Sequence, residues 1–195
     1  MVTRVRMERK FEILDWEGTA EFTENGKVFS DVEKLRIHLG ERNKYQDTEL
    51  KIVAVSGGFD PIHIGHIRYI QAAAKIAGKD GVLVVIANKD SWLRRKKDFA
   101  FMGEEERMEI LASIKGVDYV IPWDDGTPNV AECLKLLKPH VFANGGDRNS
   151  IENVPEYPIC QEINCAMIFG VGGGKIQSSS DLVRSSKDAT KTISK

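Results

Sequence analysis

Ten consecutive residues, Gly57-Gly58-Phe59-Asp60-Pro61-Ile62-His63-Ile64-Gly65-His66, hold the densest chemistry in this 195-residue chain. They follow the β-branched run Ile52–Val55 and precede the helical apolar spacing of Ile67, Ile70, Ala74 and Ala77, so the stretch joins a strand to a helix. Gly57 and Gly58 let a ligand approach bare backbone N–H groups. The helix beginning near Gly65 adds the positive end of its dipole. His63 and His66, three apart at that terminus, can turn both rings to one point beyond the carboxyl end of the strand. Two imidazole donors aimed at one spot beside a helix N-terminus describe an anion site. A single histidine at a helix start is ordinarily structural; the pair after a Gly-Gly turn carries the reading.

Two other phosphate-loop patterns fail. The run Gly170-Val171-Gly172-Gly173-Gly174-Lys175-Ile176 has Phe169 where a GxxxxGK[ST] loop needs its first glycine, and Ile176 where it needs a hydroxyl. Lys175 likewise occupies the third glycine position of GxGxxG. Asp60 is expected to hold its turn rather than to catalyse. The cluster Arg94-Arg95-Lys96-Lys97 can be read as a solvated basic loop. Trp16, Trp92 and Trp123 are expected to pack in the core or at a rim.

Elements able to position such a site recur from Lys51 onward. Val82–Ala87 is continuously apolar, as in a strand covered on both faces, and Tyr119–Ile121, Val141–Ala143 and Ala166–Phe169 supply further strands. Between them lie helical stripes. The first ends at Gly78, the second (Met108, Leu111, Ala112) is opened by Glu104–Glu106, and the third (Val130, Leu134, Leu137) is expected to start at Thr127-Pro128. Ser178 opens a last helix. The fold class expected is α/β: a Rossmann-like, doubly wound, five-stranded parallel sheet with helices on both faces over residues 49–195. Residues 1–48 form an N-terminal extension. In it Phe11, Ile13 and Val28-Phe29 suggest short strands around Asn25-Gly26, and Ser30 with Glu33 suggests a capping box for a helix ended by Gly40. The extension is expected to pack on the main domain or on a neighbouring subunit. Residues from about Ser185 onward are polar and expected to fray.

Lys+Arg 28 against Asp+Glu 29 leaves a net charge of −1, which gives no reason to propose a nucleic-acid partner. No apolar run approaches the ~20 residues needed to span a bilayer, so no membrane partner is expected. Cys133, Cys160 and Cys165 make neither a CxxC pair nor an even set, fitting buried thiols in a cytoplasmic protein and no bound metal at cysteine.

The stretch Gly57–His66 resembles the HxGH signature of the nucleotidyltransferase superfamily, in its cytidylyltransferase-like branch, and further motifs keep that family's order between about Lys51 and Ser185. Asn88-Lys89-Asp90 is similar to the acceptor-binding strand end, Arg107 to the arginine of the following helix, Asn144-Gly145-Gly146-Asp147 to the Gly-Gly-Asp turn, and Ile176–Ser180 to the closing serine-rich helix start. The resemblance implies transfer of a nucleotidyl group from an NTP to a phosphorylated small molecule, with release of pyrophosphate. It implies that His63, His66, Lys97 (or its neighbour Lys96) and Arg107 are catalytic. Gly57, Gly58 and Phe59 would hold phosphate oxygens through their backbone, and Ser178, Ser179 and Ser180 the β and γ phosphates. Asp90, Asn144, Gly145 and Asp147 would complete the binding set. Mg²⁺ would be bound mainly through the nucleotide phosphates, with no protein metal site, and the protein would be a homodimer.

Glycerol-3-phosphate cytidylyltransferases carry an arginine five residues before the closing serines, where this chain has Gly173; heptose-1-phosphate adenylyltransferases lack it, as here. The resemblance therefore favours ATP over CTP, with a sugar or alditol phosphate as acceptor. A glycerol-3-phosphate cytidylyltransferase-like enzyme and a catalytically silent nucleotide-binding or assembly protein are the alternatives. His-Ile-Gly-His also occurs in class I aminoacyl-tRNA synthetases, which need far more chain.

Overall fold

Every residue of strand β2 (Val82–Asn88) is buried, as a strand inside a parallel sheet with both faces covered must be. The computed structural model describes residues 27–44, 49–146, 148 and 150–185. The strands are β1 (Ile52–Gly57), β2, β3 (Tyr119–Trp123), β4 (Val141–Ala143) and β5 (Ala166–Ile168). They pair in the order β3-β2-β1-β4-β5, all parallel, with Val53 opposite Leu83 and Val141. The order reverses between β1 and β4, which opens a crevice at their carboxyl ends.

Alternate side chains of each strand feed two cores. Val53, Val55, Leu83 and Val85 pack with α2 (Ile64–Ala77) and α4 (Glu104–Ser113) on one face. Ile52, Ala54, Val84 and Ile86 pack with α1 (Val32–Asn43), α5 (Ala131–Leu137) and α6 (Tyr157–Glu162) on the other. The expected doubly wound architecture with helices on both faces is the one observed. Helix α2 ends where expected, at Gly78 with φ +79°. All three cysteines are buried free thiols. Among the described residues no helix is long and apolar enough to cross a membrane.

Four local expectations need correction. The α1 cap is Asp31, whose carboxylate accepts from Glu33 N (2.8 Å) and Lys34 N (3.4 Å), not Ser30. Gly40 lies inside that helix, because nothing turns its backbone left-handed and good helix formers follow it. Thr127-Pro128 precedes α5 instead of starting it: an Asx turn on Asp125 captures Thr127, and Asn129 Oδ1 accepts from Ala131 N (2.9 Å) at the true start. The basic cluster 94–97 is no loop but the last turn of α3 (Asp90–Lys97), where cations suit the helix dipole.

The described part of the extension folds onto the main domain. Val28 forms a parallel bridge with Val120 at the outer edge of β3, through Phe29 N–H to Val120 O (2.9 Å) and Val120 N–H to Lys27 O (2.8 Å). Lys27 Nζ donates to Ala112 O and Val117 O at 3.1 and 3.0 Å. Val32, Leu35 and Leu39 of α1 join the second core. Phe11, Ile13 and the Asn25-Gly26 turn lie outside the described residues, as do residues 186–195.

Candidate active site

A cleft of about 410 Å³ opens over the end of β1, at the switch point. Its floor is the β1–α2 turn. Phe59, at φ +49° and almost fully buried, turns its ring back beneath Gly57, where a Cβ would stand 3.1 Å from it. A Cβ on Gly58 would stand 2.8 Å from Leu93 Cδ2. The buried Asp60 holds the turn, as the sequence suggested: its carboxylate accepts from Phe101 N (2.9 Å) and Met102 N (2.7 Å).

His63 caps α2, and its Nδ1 accepts from Gly65 N–H (3.1 Å). Accepting there fixes the proton of the neutral ring on Nε2. The His63 and His66 rings stack at 3.7 Å and 18°, and His66 stands edge-on to Phe59 at 5.1 Å. Its buried Nδ1 has no hydrogen-bond partner. Burial lowers the pKa of both rings; that of His66 falls to about 3, with His63 and Lys97 as adjoining positive charges. At neutral pH the pair therefore meets a ligand uncharged. The linkage gives a measurable prediction. His66 has a pKa of 6.5 unfolded and about 3 folded, so between these values the unfolded chain binds more protons and stability falls as pH drops. The limiting slope is about 1.4 kcal/mol per pH unit. Urea denaturation should therefore lose stability more steeply in the parent than in His66→Gln from pH 6.5 to about pH 4. Parallel curves would remove the claim.

The wall after β2 belongs to α3. Lys97 Nζ donates to Asp60 O (3.3 Å), and Lys96 Nζ stands 4.5 Å over the Trp92 ring, whose Nε1 donates to Thr127 O (3.1 Å). Burial lowers both lysines, each with further positive charge nearby. Asn88, almost fully buried in the lining, leaves its Oδ1 without a partner.

Arg107 and Asp90 stand behind this surface. The Arg107 side chain is completely buried and donates to Gly58 O (3.0 Å), Asn88 O (2.7 Å), Met102 O (3.3 Å) and Asp90 Oδ1 (2.7 Å). It thus ties the ends of β1 and β2 together. Neither residue lines the cleft. Asn144 is buried below it too, with Nδ2 donating to Phe142 O (3.3 Å), whereas Gly145 lines it. Asp147 lies outside the described residues.

The opposite wall combines Gly145, Gly146 and Arg148 with residues 171–177. Gly172, at φ +88°, lies so close to Tyr69 that a Cβ would sit 2.6 Å from its Cα. Tyr69 in turn donates from its hydroxyl to Ala143 O (2.7 Å). Ser178 caps a helix that begins at Ser179, its Oγ accepting from Asp181 N (3.4 Å). Ser179 Oγ donates to Pro61 O (3.0 Å), which fastens this helix to the β1–α2 turn. The fold therefore brings Gly57–Phe59, His63, His66, Lys97, Gly145 and Ser178–Ser180 around one space. It adds Asn88, which the sequence marked only as the start of the motif ending in Asp90, and Tyr69 and Arg148, for which no local pattern in the sequence gave a signal.

The described lining contains no carboxylate, and among the described residues no cluster of His, Cys, Asp or Glu could hold a metal ion. Its side-chain oxygens are neutral, those of the serines, Tyr69, Gln177 and the unpartnered Asn88 Oδ1. That set fits a cation carried in on phosphates better than a resident one.

A family model described as cytidylyltransferase-like matches residues 54–163. The chain is 37% identical over 123 residues to the bifunctional protein HldE of Aliarcobacter butzleri, covering 62% of this chain and 24% of that protein. It is 36% identical over 150 residues to the bifunctional protein HldE of Hahella chejuensis, covering 76% and 28%. The chain thus spans about a quarter of the length of these relatives. Among solved structures, the lipopolysaccharide core biosynthesis protein from Thermoplasma volcanium GSS1 superposes with a TM-score of 0.53 at 25% identity, covering 63% of this chain and 96% of that one.

Proposed function

The chain belongs to the cytidylyltransferase-like family, and on that premise we propose that it transfers a nucleoside monophosphate from an NTP to a phosphorylated small molecule. An oxygen of the acceptor phosphate attacks the α-phosphorus, the bond to the β-phosphate oxygen breaks, and pyrophosphate leaves. The nucleophile is already an oxyanion, so the reaction needs placement and charge stabilisation more than a base. The observation that carries this reading is the stacked His63–His66 pair, set between the Gly57-Gly58 turn and the serine cluster.

In this reading the amides of Gly57–Phe59 hold α-phosphate oxygens, and His63 Nε2–H donates to the transferring group. His66 supplies a second donor from the same ring stack. Both imidazoles are held below their ordinary pKa by burial, so they meet the nucleotide as neutral donors whose contribution grows as negative charge builds toward the transition state. Lys97 follows the developing charge. Ser178–Ser180 hold the β and γ phosphates. Mg²⁺ on those phosphates would meet the serine hydroxyls and Asn88 Oδ1, and when bound it screens triphosphate charge. Arg107 and Asp90 act through the turn they brace, as positioning residues. Asn144 and Gly145 shape the end of β4 where the nucleoside lies, and the family resemblance adds Asp147 to the binding set. ATP is favoured because Gly173 stands where the cytidylyltransferase branch has its arginine. A sugar 1-phosphate or an alditol phosphate is the acceptor, and the working form is a cytoplasmic homodimer.

The test is pyrophosphate release from four NTPs crossed with sugar, alditol and aminoalcohol phosphates. Release is expected with ATP and one phosphorylated acceptor, and none without the acceptor. Silence across the matrix, with nucleotide still bound, would turn the reading to a non-catalytic nucleotide-binding protein.

A further inference from the structure

Two of the three buried cysteines share one turn, and the nucleotidyl-transfer reading uses neither. Helix α6 is capped by Ile163, and Asn164 follows in the left-handed region at φ +55°. Cys165 N–H donates to Cys160 O (2.8 Å), and Asn164 N–H donates to Gln161 O (3.3 Å). These two bonds make a Schellman ending, in which the third-last helical residue and the second residue past the cap lie side by side. An apolar contact often fills that place; here both residues are cysteine. The 2.8 Å bond alone limits their Cα separation to about 6.7 Å, inside the range of about 4.4–6.8 Å that a disulfide spans.

The two thiols hydrogen-bond to each other, which lowers the Cys160 pKa against the opposing pull of burial and raises that of Cys165. The Cys160 proton is thus the more readily lost, and the Cys165 S–H steadies the thiolate that remains. Cys133, on α5, lies outside this turn, and burial pushes its thiol up. Access differs as well: Cys165 is 7% exposed, against 1% for Cys160 and 0% for Cys133. Cys165 also opens directly into β5, the edge strand, where Ala166 is exposed. The α6–β5 crossover carries parts of the cleft at both ends. Before α6 stands Glu156, whose buried carboxylate accepts from Val130 N–H (3.3 Å) and pairs with Arg148, a residue of the cleft lining. Beyond β5 the chain runs into the wall at residues 171–177.

We propose that Cys160 and Cys165 are a redox modification site: in the folded protein a peroxide converts them to a reversible disulfide that staples the α6–β5 crossover. The Cys160 sulfur attacks one peroxide oxygen, the O–O bond breaks, and the departing hydroxide takes up the thiol's proton as water. The Cys165 sulfur then attacks the sulfenic acid at sulfur, the S–O bond breaks, and a second water leaves with the second thiol proton. Each sulfur gives up one electron overall, and the two peroxide oxygens are reduced. Because the thiols are already bonded to each other, closure leaves both cleft segments where they stand. None of this chemistry depends on the nucleotidyl-transfer reading.

The experiment exposes the reduced, folded protein to hydrogen peroxide, alkylates the remaining thiols, and reads intact mass and linked peptides. The parent should lose two hydrogens, keep one alkylatable cysteine at Cys133, and yield a peptide joining Cys160 to Cys165. Dithiothreitol should return all three thiols. Cys133→Ser should keep the linkage, whereas Cys165→Ser should leave a sulfenic acid on Cys160 that dimedone traps. In urea, the oxidised parent should show an unfolding constant about tenfold below the reduced protein, because the bond closes a short loop in the unfolded chain. Peroxide should leave the unfolding constant of Cys160→Ser unchanged. Absence of the linked peptide in the folded parent would overturn the proposal. So would a disulfide that uses Cys133 or joins two chains, one that forms only after unfolding in urea, or a linkage that leaves the parent's unfolding constant unmoved.

Discussion

Replacing His66 with alanine is expected to lower kcat by about two to three orders of magnitude, the usual effect of removing one preorganised donor from a developing charge. The affinity for the NTP should change by less than about threefold, because ground-state phosphates keep the backbone amides and serines. The reason lies in the ring stack: His66 is neutral, half-buried and short of a partner at Nδ1 in the free protein. Its interaction with a ligand therefore grows as negative charge accumulates. His63→Ala should behave likewise, with an added loss at the helix start because its Nδ1 caps Gly65 N–H. Single-turnover pyrophosphate release measures the chemical step, and equilibrium dialysis measures nucleotide affinity. An unchanged kcat in either variant would falsify the assigned role.

Arg107→Met is expected to destabilise the fold by about 3–5 kcal/mol, the range for breaking a buried charge pair from one side. The substitution strips Asp90 of its 2.7 Å partner and leaves Gly58 O and Asn88 O without their guanidinium donor. Both carbonyls sit under the cleft floor, so transfer activity should fall with stability. Urea midpoints give the first quantity. Adding the substrates' competitive ligand α,β-methylene-ATP in excess should restore part of it through binding linkage. A variant as stable as the parent would show that the guanidinium is dispensable to the turn.

The fold was largely legible because β1, β2 and the stripes of α2 and α4 are buried on known periods, and a period survives reading without coordinates. The His63–His66 pair was legible for a related reason: both residues sit on one helix terminus, so their spacing alone converges them. Helix α3 was hidden because its four terminal residues are basic and only Trp92 and Leu93 anchor it. Helix α6 was hidden by brevity, being six residues that begin beside a proline. The place of Arg107 could not be read because burial of an arginine depends on carbonyls from three separate segments. Arg148 and Glu156 needed the fold outright, since seven residues lie between two side chains that meet only once α6 packs.

The bridge at Val28 reaches beyond the cleft. An outermost strand normally presents unpaired amides and carbonyls that invite another polypeptide to extend the sheet. At β3 the chain answers its own invitation: the backbone groups of Val120 are taken by residues 27 and 29, and the Lys27 ammonium is anchored on the carbonyls beside it. Sheet-on-sheet association between copies is thereby discouraged on that flank. Among the described residues, any such growth is left to β5, whose three residues offer an edge-pairing partner only a short foothold.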